Sequence, residues 1–181
     1  MNIENKKIFV ILITILALIF SGCAESKNTK IALPEFSEAK VFEIYYSFGI
    51  EQRNILDTGN DVYIKDMVCN NTKREYEFQL NETELEIIYD SLLEYDLFNI
   101  KEDLTKSCNW KGICTVTEPN SAATLKILVN EKTKTIEWNI DYFDKDDSDF
   151  KKFMNVSSVI KKVIYQKENE LNIEKPNCFY L

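Results

Sequence analysis

From Ala39 the chain alternates. Phe42, Ile44, Tyr46 and Phe48 fall on one side of an extended segment and Val41, Glu43, Tyr45 and Ser47 on the other, with Gly49 closing the run. A period of two in apolar and aromatic residues predicts a strand. Two more strands are predicted over Arg53 to Thr58 and Val62 to Val68, parted by Gly59-Asn60 between Asp57 and Asp61, residues suited to a tight turn. Cys69-Asn70-Asn71 turns the chain into a fourth, Thr72 to Leu80, where Tyr76, Phe78 and Leu80 face one way and Glu75, Glu77 and Gln79 the other. That clean alternation predicts one wet face. The period then lengthens. Asn81 and Glu84 have capping-box spacing ahead of Leu85, Ile88, Tyr89, Leu92 and Tyr95, which predicts a helix from about Glu82 to Asp96.

The stretch from Asn99 to Asn120 shows no period and holds Cys108, Gly112, Cys114 and Pro119. A connection that long is expected to be functional or stapled. Ala123, Leu125, Ile127 and Val129 alternate with polar neighbours, Asn130-Glu131-Lys132 turns, and Thr135 to Ile140 alternates again, which predicts a hairpin. After the acidic run Asp141 to Asp149, a second amphipathic helix carries Phe150, Phe153, Ser157, Ile160 and Ile164 and ends near Lys167 or Glu168. The tail from Leu171 to Leu181 is too apolar for a free end and is expected to dock back on the domain. The order ββββαββα predicts an α+β fold: a mainly antiparallel sheet with two helices packed on one face.

Ahead of this pattern stand Lys6 and Lys7, an apolar run from Ile8 to Phe20 broken only by Thr14, and then Ser21, Gly22 and Cys23. The run is short of the ~20 residues a permanent bilayer span needs, so it reads as a signal peptide. Phe20-Ser21-Gly22-Cys23 resembles the lipobox of bacterial lipoproteins, with Phe20 where Leu is commonest. The resemblance implies cleavage between Gly22 and Cys23 and acylation of the Cys23 thiol, an anchor that holds without any spanning helix. A short uncleaved anchor or an ordinary secretory signal are the alternatives.

The expected organisation is therefore a signal peptide over residues 1–22, a lipidated Cys and flexible tether over 23–37, and one α+β domain over 38–181. The chain would sit on the extracytoplasmic face of the cell membrane. In a two-membrane cell, Ala24 favours the outer membrane. The runs Leu56-Asp57-Thr58-Gly59, Tyr63 to Val68 and Ile136 to Asn139 are similar to those of small bacterial lipoproteins of unknown function, a resemblance that implies the anchored location and no activity.

Composition narrows the chemistry. The 181 residues include no His, which excludes His-based triads, Cys-His dyads and His-bearing zinc sites. A net charge of −8 leaves no basic face for a nucleic-acid backbone, so nucleic acid is not expected as a partner. With Cys23 acylated, Cys69, Cys108, Cys114 and Cys178 permit three disulfide connectivities in an exported chain. Cys108 with Cys114, clipping the loop, and Cys69 with Cys178, pinning the tail, is the expected pairing. Free thiols are the alternative, and a four-Cys zinc site fits poorly without a CxxC pair.

Asp144, Asp146 and Asp149 could supply oxygens to Ca²⁺, but the EF-hand pattern fails from Asp144 onward. The plainer reading is that Asp147, Ser148 or Asp149 caps the second helix. No metal and no cofactor are therefore expected. Trp110, within the loop, and Tyr142 and Phe143, after the hairpin, are the candidate binding residues, whereas Trp138, Tyr76 and Phe78 are expected in the core. The function expected is a non-catalytic binding domain on the membrane, with an unidentified protein as partner, of immunity or inhibitor type. The alternatives are a carboxylate-dependent cell-envelope hydrolase and a small-solute receptor.

Overall fold

The computed structural model describes residues 30–68, 71–105, 121–139 and 146–178. The chain divides into a unit of residues 1–30 and a unit of residues 31–181, and the second holds every described element. The fold is α+β. Six strands, β1 (Phe42–Ile50), β2 (Asn54–Asp57), β3 (Val62–Asp66), β4 (Lys73–Glu77), β5 (Ser121–Val129) and β6 (Lys132–Asn139), form one antiparallel sheet in the order β4-β3-β2-β1-β5-β6. Helix α1 (Glu82–Glu94) joins β4 to the return strand β5, and α2 (Ser148–Glu170) follows β6.

The first four strands are a meander, and α1 carries the chain back so that β5 pairs along the whole of β1, from Phe42↔Val129 to Ile50↔Ser121. Register puts one row straight across the sheet: Tyr76, Tyr63, Leu56, Tyr46, Leu125 and Ile136 stand side by side. Because side chains alternate along a strand, Ile44, Phe48 and Ala123 share that face, and it is the core face. Ile88, Tyr89 and Leu92 of α1 and Phe153, Val156, Ile160, Val163 and Ile164 of α2 complete the core. Direct ties fix the layer. Phe42 meets Tyr89 edge-on at 5.0 Å, and the Tyr46 hydroxyl lies 2.5 Å from Ser157 Oγ. Both helices therefore pack on one face, as the sequence predicts.

Local chemistry sets the element ends. Asn81 Oδ1 accepts from Glu84 N at 2.9 Å while Glu84 Oε2 accepts from Asn81 N at 2.8 Å, a complete capping box. The chain has four Gly, and Asp and Asn do much of their work: Asp61, Asn71, Asp96, Asn130 and Asn172 all take positive φ, which short polar side chains tolerate best. At the β5–β6 turn, Asn130 also gathers the start of β1, since its Oδ1 accepts from Lys40 N at 2.9 Å and Val41 N at 3.1 Å.

Among the boundaries that differ from the sequence reading, β4 stops at Glu77 and α2 runs on to Glu170, and three others change what packs where. The expected tether is docked from Ile31 onward: Leu33 and Phe36 pack on the core, Tyr89 Oη donates to Pro34 O at 2.8 Å, and Ile31 N donates to Asn99 Oδ1 at 2.8 Å. Two apolar residues in a polar, Pro-containing stretch carry no period, so only their partners identify them. The expected loop is ordered at its start, where Ile100 and Leu104 are buried and Leu104 N donates to Glu137 O at 2.9 Å, covering part of the β6 edge. β6 begins at Lys132 and not Thr135, because Asn130-Glu131 alone makes the turn. Of the tail expected to dock, Ile173 is buried in the core while residues 179–181 lie outside the described residues.

Candidate functional site

Many sequence candidates, Gly22, Cys23, Cys69, Cys108, Cys114, Trp110, Tyr142, Phe143 and Asp144, lie outside the described residues. Cys178 is disulfide-bonded, and both expected pairings involve cysteines outside the described residues. Among the candidate Ca²⁺ ligands, Asp146 is exposed just ahead of α2, and Asp149 Oδ2 accepts from Lys101 N at 3.1 Å. Asp147 caps α2, its Oδ1 accepting from Asp149 N at 2.8 Å and Phe150 N at 3.3 Å, while its Oδ2 pairs with Lys101. The Lys101 ammonium first, and then those two backbone donors, hold the Asp147 carboxyl below its usual range. The acidic residues thus anchor a helix start. Among the described residues no group of three or more metal-ligating side chains comes together.

Around the core lie buried polar pairs that the sequence reading missed. Arg53 Nε is 3.1 Å from Asp66 Oδ1, with both side chains buried. Lys65 Nζ meets Glu168 Oε1 at 2.8 Å, and the Tyr63 hydroxyl bonds the same carboxylate, so burial first and Glu168 second drive its pKa far up. Lys167 Nζ reaches Glu84 Oε2 at 3.3 Å, tying the end of α2 to the start of α1. The Tyr46 hydroxyl, pushed up to about 12 by burial, pairs with Ser157 behind a side chain of 0% exposure. These largely buried pairs tie strand to strand, helix to sheet and helix to helix. Asp66 is the buried carboxylate among the described residues, and its charge is spent on Arg53.

The opposite face of the sheet has another character. Glu75, Ile64, Ile55, Ser47, Thr124 and Glu137 form one row across it, and Glu77, Val62, Asp57, Tyr45, Lys126 and Thr135 the next. None of these apolar residues belongs to the core cluster, and among the described residues no helix or strand packs over them. Ile55, Val62, Ile64, Tyr45 and Leu128 are half-buried, while Glu43, Glu75, Glu77, Lys126 and Glu137 are exposed. A concavity of about 240 Å³ lies between Glu43, Tyr45, Asp57, Lys126 and Thr135. Within it Lys126 Nζ stands 5.2 Å from the Tyr45 ring centroid. Asp57 is committed to its turn, accepting from Gly59 N at 3.1 Å and Asn60 N at 3.2 Å. Gly59 lies close to Glu43, since a Cβ there would come within 2.9 Å of Glu43 Oε2 at the movable end of that exposed side chain.

The sequence reading gave β2 and β3 no facing residues, and strand order aligned Tyr45, Ile55 and Ile64 on this face. No protein-family model matches the chain, and no curated protein matches it.

Proposed function

We propose that the chain is a lipoprotein held at the extracytoplasmic face of a bacterial membrane through Cys23, and that its folded domain is a non-catalytic binding module for another protein. The observation that supports the binding reading is the sheet face turned away from both helices, with half-buried Ile55, Val62, Ile64, Tyr45 and Leu128 ringed by exposed carboxylates. Six strands at about 4.8 Å spacing, and strands up to ~30 Å long, give a face on the order of 600 Å², toward the small end of what one partner contributes to a specific interface. An apolar centre with a charged rim is the anatomy of such surfaces. An acidic, small domain in this place suits an immunity or inhibitor role.

Two measurements test the two halves of the reading. Cys23→Ala should release the protein from the membrane fraction, and retention of that variant would replace the lipid anchor with a helical one. Immobilised wild-type chain should retain one stoichiometric protein from envelope or secreted fractions, and Ile64→Lys should lose it while keeping its fold by circular dichroism. A wild-type column that retains nothing, or a partner indifferent to Ile64→Lys, overturns the binding face.

A further inference from the structure

We propose that the end of the sheet where the folded domain begins is a membrane-contact surface, with Ile31 and Val41 entering the interfacial region of a lipid bilayer and Lys40 and Lys132 beside them at the level of the lipid phosphates. This rests on the lipid-anchor reading above. Large apolar side chains that stay more than a third exposed are few here, yet Ile31 at 42% and Val41 at 39% are two of them, and both sit at this end. Val41 precedes β1 and lines a concavity of about 530 Å³ with Pro34, Val129, Lys40, Asn130 and Lys132. Ile31 belongs to the same end, since Lys132 Nζ donates to the neighbouring Ala32 O at 2.6 Å.

Position and charge both point to lipid as the occupant. The sequence puts seven residues between Cys23 and Ile31, and the eight chain steps from one to the other reach at most about 28 Å when fully extended. The opposite end of the sheet lies ~30 Å away along β1, about the tether's full reach, so the end at Ile31 can meet the bilayer whatever the tether's extension. The concavity carries Lys40 and Lys132 against Glu131, in a chain whose net charge is −8. Two lysines against one glutamate in that concavity give the acidic domain a local contact for anionic headgroups. Exposed aliphatics flanked by lysines are the side chains an interfacial contact uses, apolar bodies inserted and ammonium groups held at the surface.

The test uses the full acylated chain, reconstituted in vesicles of equal parts phosphatidylcholine and phosphatidylglycerol, with lipids brominated near the headgroup as quenchers. Val41→Trp should lose emission to the bromines, whereas Tyr165→Trp, on the exposed side of α2, should lose no more than the wild-type background from Trp110 and Trp138. Ile31→Trp repeats the measurement should Val41→Trp disturb the start of β1. If the protein floats with the vesicles and neither Val41→Trp nor Ile31→Trp is quenched beyond Tyr165→Trp, the contact surface is overturned while the anchor stands. If the acylated chain does not float with vesicles at all, the anchor reading and this one fall together.

Discussion

Tyr46 and Ser157 show what a single buried contact demands. Their oxygens are 2.5 Å apart, with relative exposures of 0% and 2%. Ser157→Ala would leave the Tyr46 hydroxyl in a dry core with no partner, a cost of about 1–3 kcal/mol. Removing both polar groups, as in Tyr46→Phe with Ser157→Ala, should cost less than the sum of the single changes. Urea unfolding of the three variants measures this, and strict additivity would mean that the pair does not interact. Alternation along β1 placed Tyr46 inside, and helical spacing put Ser157 on the inner side of α2. That they face each other was not legible, because a hydroxyl in an apolar stripe looks the same whether it meets a partner or a methyl group. Lys65, Arg53 and Asp66 were less legible still. Charged residues in a sequence read as surface, and only the nearby counter-charge makes their burial tolerable.

At the scale of elements, the start of α2 ties helix stability to pH. Asp147 is both the cap and the partner of Lys101, whose ammonium holds its carboxyl below the usual carboxylate range. A depressed native value means that this carboxylate stabilises the fold fully above about pH 4, and that the contribution fades as pH falls through the native value. Asp147→Ala should cost about 0.5–2 kcal/mol at neutral pH through the lost cap. Asp147→Asn keeps a capping oxygen, so it should cost less and flatten the acid limb of the stability profile. Chemical denaturation from pH 7 down to pH 2 distinguishes them, and an unchanged acid limb in Asp147→Asn would sink the assignment. Both helices were legible because each combines a cap with a long apolar period. The docked segment around Leu33 and Phe36 and the strip at Ile100 to Leu104 were not, since each is held by neighbours from elsewhere in the chain and has no period of its own.

For the whole molecule, the strand order decides which parts open first. β1 lies inside the sheet between β2 and β5, under both helices, whereas β4 is a short edge strand whose Lys73, Arg74, Glu75 and Glu77 are exposed. Short, charged edges also discourage pairing with other chains. Hydrogen exchange should therefore be slowest in β1 and β5 and fastest, among the strands, in β4, and equal protection of β4 and β1 would contradict this ordering. The sequence by itself determined the α+β class, the order of elements, the alternation of β1, β4, β5 and β6 and the Asn81 cap, because these depend on residues close together along the chain. The tertiary structure alone decided that β5 returns beside β1, that Ile55, Ile64 and Tyr45 align on a face no described element covers, that Lys65 and Arg53 are buried beside their counter-charges, and that the domain begins at Ile31. Each of these depends on which distant segments meet, and that is settled by packing the whole chain around one core rather than by any local period.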